Sequence, residues 1–237
     1  MPVDEQRQRW LLGGDLVKSR AYYERAVRLF EAQDNRVGFI SSQTTMAILT
    51  SAYHTDTLPA AASFSEAAAW LERTNRMAVE IGWRAGECYS LWNNAAGLGP
   101  QGEYERALRT AGEAVAIAEE IEHSEWLAAS LCFLGAIELD LLDLEQSRVS
   151  LERGLALARE CGSMYWTRTI AGLLAQCYVE RSELAAASEL LDGLLASDAP
   201  ARTLGERMVQ AGRVTLRIAE GNPDDALRLL DRLDVTI

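Results

Sequence analysis

The sequence predicts an all-α solenoid of about six helical hairpins. Three observations carry that prediction. The first is repetition at a fixed spacing. Ser90, Leu91, Ala95 and Ala96 return forty positions later as Ser130, Leu131, Gly135 and Ala136, and Ala171 and Ala175 follow after another forty. A hairpin that recurs at a constant period and buries its faces only against its neighbours makes a solenoid. The second is composition. Of 237 residues 49% are hydrophobic and 24% charged, enough apolar side chain for a continuous core, and only five are proline. Alanine, leucine and glutamate dominate, and all three favour helix. The third is amphipathic spacing. Ala21, Tyr23, Ala26, Val27 and Phe30 form a stripe at the helical period, with Arg20, Glu24, Arg25 and Arg28 on the outer side.

Taken in order, the chain reads as one domain, 1–237, with repeats at about 3–35, 36–83, 84–123, 124–163, 164–201 and 202–237. In the first repeat, a short helix Asp4–Leu12 ends at Gly13-Gly14-Asp15, since glycine ends a helix cheaply and aspartate caps the next one. The second repeat is irregular. Its first helix, Gly38–Tyr53, carries Ser41, Ser42, Gln43, Thr44, Thr45, Thr50 and Ser51. A long connection, His54–Ser65, contains Pro59, and Ser65-Glu66 then begins a helix through Ile81 with Trp70 and Leu71 on its apolar face. The third and fourth repeats are the regular pair. The hairpin turn of the third is Gly99–Gly102; in the fourth, Leu142-Asp143 replaces Gly102-Glu103. The fifth gives Trp166–Glu180, Ser182–Leu195 and a stop at Ser197-Asp198-Ala199-Pro200. The sixth gives Thr203–Glu220, a Gly221-Asn222-Pro223 turn and Asp224–Leu233, Pro223 suiting a first helical turn.

Small residues sit where helices must approach closely: Ala95, Gly135 and Ala175 on first helices, Ala107, Ser147, Ala187 and Ala226 on second ones. Terminal repeats usually have a polar outer face. Ala226–Leu233 does not, which points to further repeats in a longer parent protein or to self-association through the C-terminal helices.

Composition also excludes function classes. A net charge of −12 disfavours direct binding to nucleic acid. No apolar run reaches the roughly 20 residues that span a bilayer, and Met1–Glu5 does not open a signal peptide. Cys88, Cys132, Cys161 and Cys177 have neither C-x-x-C nor Cys/His spacing, so they read as reduced thiols in a cytoplasmic protein, with no metal site. No phosphate-binding loop motif occurs, and the glycines of Gly97–Gly102 follow no strand, so no nucleotide or other cofactor is expected. His54 and His123 lack ligand partners in sequence and read as surface. Glu119-Glu120-Glu122 and Asp140/Asp143/Glu145 read as solvated helix ends. No general base pairs with a nucleophile, so no catalytic residue is expected.

Position by position the chain resembles the tetratricopeptide repeat family. The family pattern of apolar, small, glycine and alanine residues falls on Leu91, Ala95, Gly102, Ala107, Ala111 and Ala114 in the third repeat, and on Leu131, Gly135, Leu142, Ser147, Leu151 and Gly154 in the fourth. The first repeat supplies Gly14, Ser19, Tyr23 and Ala26. Departures exist: the turn glycine is present only at Gly14, Gly102 and Gly221, and the period is about 40 against the family's 34. The longer unit looks like the repeat regions of bacterial signalling ATPases and of transcriptional activators of the MalT and LuxR type. The resemblance implies a right-handed superhelix whose first helices line a concave binding face.

Carried over residue by residue, that face takes Tyr89, Trp92 and Ala96 from the third repeat; Ala129, Cys132, Ala136, Leu139 and Asp140 from the fourth; and Thr169, Gly172, Gln176, Val179 and Glu180 from the fifth. Two aromatics, Tyr89 and Trp92, stand at one end and acids at the other; both aromatics also read as packing between neighbouring repeats. Asn93 falls where chaperone-tail-binding members carry a clamp asparagine, but the next repeat offers Ala129 and Phe133 instead of the clamp's basic residues. The expected partner is a basic or apolar protein or peptide segment, and the expected function a non-enzymatic scaffold. The other reading is an effector-sensing domain of a larger bacterial regulator.

Overall fold

The structure is a computed structural model that describes residues 16–48, 53, 62–196 and 200–233. Among them are eleven α-helices: α1 (Leu16–Ala32), α2 (Arg36–Ala47), α3 (Phe64–Glu80), α4 (Arg84–Leu98), α5 (Tyr104–Glu120), α6 (Ser124–Asp140), α7 (Leu144–Glu160), α8 (Met164–Glu180), α9 (Leu184–Leu191), α10 (Leu204–Ala219) and α11 (Pro223–Leu230). The expected helix Asp4–Leu12 and the connection His54–Ala61 lie outside the described residues. The described helices stack as consecutive hairpins in an all-α superhelical solenoid. None is long and apolar enough to cross a membrane.

Several starts and stops have a local cause. Ser63 accepts from the Glu66 amide while Glu66 accepts from the Ser63 amide, a capping box that begins α3 one residue before the expected start. Thr203 and Glu206 do the same for α10. After α4, a 3₁₀ turn over Gly99–Gln101 ends at Gly102, whose φ of 79° is left-handed. The equivalent turn in the next hairpin places Leu142 at φ 58°. Helix α9 is shorter than the expected Ser182–Leu195. Its chain turns away at Asp192, and the carbonyls left over are taken by arginines: Arg213 donates to Leu191 and Leu195, and Arg168 to Leu194.

The small positions bring helices together. The Ser147 hydroxyl donates to the Gly135 carbonyl at 2.8 Å, and a Cβ on Gly135 would come within 2.6 Å of Leu151 Cγ. Helix α6 is buried on most sides, as its nearly uniform apolar sequence requires. The hydroxyl-rich face of α2 also lies inside. Thr44, Thr74 and Ser90 bring their hydroxyls within 3.0–3.3 Å of one another between α2, α3 and α4. At the edge of the stack, Arg36 pairs with Glu80 and Arg84 with Glu120, each joining the start of one hairpin's first helix to the end of a second helix. These exposed pairs fix geometry more than they add stability.

At the C-terminal end the stacking tightens. Helix α10 meets α8 backbone to backbone: a Cβ on Gly172 would lie 2.4 Å from the Met208 carbonyl oxygen, and one on Gly212 would lie 3.1 Å from the Gly172 carbonyl oxygen. On the last helix only Ala226 is buried, while Leu227 and Leu230 are 60% and 42% exposed.

Candidate functional site

The first helices of successive hairpins, α6, α8 and α10, converge on a cavity of about 240 Å3. Ala136, Leu139 and Asp140 come from α6, Leu173 and Gln176 from α8, and Met208 from α10; Pro100 and Tyr53 close the remaining side. The floor is apolar and the rim carries three polar groups. The Tyr53 hydroxyl donates to Asp140 Oδ2 at 2.5 Å. Burial, and then the neighbouring Asp140 carboxylate, raise the Tyr53 phenol well above its ordinary value, so the phenol stays protonated and remains a donor. Asp140 is exposed, and the Gln176 carboxamide makes no hydrogen bond among the described residues. The arrangement offers a carboxylate and a carboxamide to a cationic or hydrogen-bonding head whose stem lies on Met208 and Leu173.

Behind the cavity runs a ladder of rings. Tyr53 stands 6.3 Å from Phe133; Phe133 lies flat against Trp92 with centroids 5.3 Å apart and 9° between planes. Trp166 meets both edge-on. Tyr89 contacts Trp92 at 5.1 Å and stacks on Trp126, which stacks on His123. The ladder is held from its other side by α2. Thr45 donates its one proton to the Ser41 carbonyl, so Tyr89 is the donor in the 2.6 Å contact between the Tyr89 and Thr45 hydroxyls. His123, expected at the surface, is half-buried; its Nδ1 accepts from the Trp126 amide and caps α6.

The residues assigned to the concave face from sequence do not stay together. Ala136, Leu139, Asp140 and Gln176 line the cavity. Tyr89, Trp92, Ala96, Cys132 and Thr169 pack behind it: Trp92 is 3% exposed, Ala96 1%, and Cys132 and Thr169 fully buried. Gly172 is covered by the α10 backbone. Glu180 is exposed and does not line the cavity. Asn93, 4% exposed, points elsewhere: its Nδ2 donates to the Tyr89 carbonyl at 2.9 Å, and it lines a different cavity, between α3 and α4. Sequence reasoning missed Tyr53, Pro100, Leu173 and Met208. Leu173 and Met208 are apolar residues on first helices, a signal shared with every core position.

The Trp92 indole N–H is buried with no hydrogen-bond partner among the described residues. The thiols are separated. Cys161 is exposed, whereas burial pushes Cys88 up to about 11 and holds Cys132 and Cys177 above the usual thiol range.

No family model and no curated protein matches the chain. Solved structures do. A Rap protein complexed with competence and sporulation factor superposes with a TM-score of 0.77 at 14% identity, over 97% of this chain and 62% of that one. The apo form of RapI gives 0.61 at 13%, over 92% and 58%. A Podosopora anserina putative kinesin light chain with nearly identical TPR-like repeats gives 0.56 at 19%, over 82% and 92%. The chain has a tetratricopeptide-like helical-repeat fold. It spans about three-fifths of the length of the Rap chains, and at these identities the likeness is one of fold.

Proposed function

We propose that the chain is a non-enzymatic interaction scaffold whose concave cavity captures one side chain of a protein or peptide segment. The carrying observation is the cavity itself: an apolar floor at Leu173 and Met208 beneath the Asp140 carboxylate and the unpaired Gln176 amide. Its 240 Å3 lies below the roughly 300–1,000 Å3 of sites that enclose a whole small molecule. That favours one residue of a longer segment over an entire effector, so the sensor reading of a MalT- or LuxR-type regulator ranks second. The rim charge and the net charge of −12 select a basic residue. The Rap relative captured with a bound factor supports an array of this shape receiving a partner.

The test is fluorescence anisotropy with fluorescein-labelled alanine-based hexapeptides carrying a single Arg, Leu or Glu. The Arg peptide should bind about tenfold more tightly than the Glu peptide, and Asp140→Asn should remove that preference. Equal binding of all three peptides overturns the reading.

We infer in addition that the exposed Leu227 and Leu230 of α11 form a self-association face. Sedimentation velocity should show mass rising with concentration, and Leu227→Glu should abolish the rise. A monomer at every concentration overturns it.

A further inference from the structure

The interface between α3 and α4 departs from its counterpart one repeat later. By the forty-residue register, Phe64, Ala68, Asn94 and Gly97 stand where Tyr104, Leu108, Leu134 and Ile137 stand between α5 and α6. There Ile137 is fully buried with Ala95, Ala107 and Ala111, and Tyr104, Leu108 and Leu134 pack over them. Between α3 and α4 the same place is a cavity of about 180 Å3. Leu71, in the place of Ala111, returns only part of the lost volume. None of the residues lining this cavity lines the concave one.

Two features mark the space as more than a missing side chain. Gly97 lies in the last turn of α4, yet a Cβ there would meet nothing within 4 Å, whereas one on Gly135 would strike Leu151. Glycine in a helix gives up stability relative to alanine, and no close approach requires it at position 97. Second, the hydrocarbon wall of Ala47, Phe64, Ala67, Leu71 and Leu98 is interrupted by carboxamides. Asn93 replaces the phenyl ring of Phe133 and is 4% exposed; Asn94 lies beside it. The charged residues of the lining are paired, Arg106 with Glu103 and Glu72 with Arg76, so the opening carries no unpaired charge from them.

We propose that this cavity is a second binding site, which takes one leucine-sized aliphatic side chain of an extended peptide segment. The register supplies the shape: the residues missing from the space are those equivalent to Leu108, Leu134 and Ile137. The carboxamides supply the recognition. Asn94 offers a donor and an acceptor, the complement of a main-chain amide; Asn93, one of whose Nδ2 protons goes to the Tyr89 carbonyl, adds its Oδ1 as an acceptor, and a charged ligand would find no unpaired partner.

The test is a side-chain amide NMR titration of the ¹⁵N-labelled full chain with N-acetyl-leucinamide and N-acetyl-alaninamide. The leucine probe should shift the Asn93 and Asn94 side-chain amides saturably, and the alanine probe should bind about tenfold more weakly. The variant Asn94→Leu/Gly97→Ile, which restores the side chains of the next repeat, should lose the response and melt at a higher temperature. Gly97→Ala adds a single methyl and should weaken the response while keeping the fold, so it decides the matter where the double variant does not fold. Asp140→Asn should leave the response intact, which separates this site from the concave one. No saturable shift, equal shifts from both probes, an undiminished response in the filled cavity, or loss in Asp140→Asn would each overturn the proposal.

Discussion

Gly172 and Met208 touch through their backbones, at a distance where a Cβ on Gly172 would sit 2.4 Å from the Met208 carbonyl oxygen. A backbone oxygen on a packed helix cannot rotate aside, so Gly172→Ala must shift α10 away from α8. We expect a loss of about 1–3 kcal/mol in urea unfolding. Because Met208 forms part of the cavity floor, the same variant should weaken capture on the concave face. Gly97→Ala, with open space around it, is the contrasting control and should not be destabilised.

Trp92 lies flat on Phe133 and takes Trp166 on its edge, while its indole N–H has no partner among the described residues. Its contribution is therefore packing rather than hydrogen bonding. Trp92→Ala should cost about 3–5 kcal/mol, and Trp92→Phe, which keeps a ring and removes the orphaned donor, about 1.5 kcal/mol or less. A double-mutant cycle of Trp92→Ala with Phe133→Ala should show the two losses to be non-additive, since each variant already removes the stacked contact. Urea denaturation measures all three.

The repeat register was legible in the sequence because small and apolar residues must recur wherever helices touch: Leu91 and Leu131, Ala95 and Gly135. The same register put Ala136, Asp140 and Gln176 on one face, and they line one cavity. It could not show how closely each repeat closes on the next. Gly172 reads as a concave surface position, yet α10 covers it, because glycines at 172 and 212 let two backbones meet. Trp92 reads either as a groove aromatic or as packing between repeats, and rings contributed by later helices, Phe133 and Trp166, bury it. Asn93 faces away from the groove because neighbouring positions on a helix point about 100° apart. Tyr53 was out of reach, since its contact with Asp140 spans 87 positions.

The turn between α6 and α7 carries a strain that the equivalent turn after α4 avoids. Leu142 adopts φ 58°, where Gly102 adopts 79°. A left-handed conformation costs a residue with a Cβ about 1–2 kcal/mol, and the Leu142 side chain is 68% exposed, so it returns little by burial. Glycine would remove the strain but lose more conformational freedom on folding. The balance predicts that Leu142→Gly stabilises by about 0.5–1 kcal/mol, while Gly102→Ala destabilises. Paired thermal melts read both signs.

Glu138, half-buried between α6 and α7, sets a pH dependence. One of its carboxylate oxygens is buried without a hydrogen-bond partner among the described residues. Burial is the largest influence and raises its pKa above the ordinary 4.5; the Ser150 hydroxyl works against that rise and Asp143 adds to it. In the folded chain Glu138 therefore holds its proton to higher pH than in the unfolded chain. The folded state binds more protons in that window, so Glu138 lowers stability progressively as pH rises from about 4.5 through its raised folded value, and no further beyond it. Glu138→Gln keeps the shape and removes the charge. At pH 7 the variant should melt at a higher temperature than the parent, and the difference should vanish below about pH 4. A difference that persists unchanged at low pH would show that packing of the amide, rather than the buried charge, is responsible.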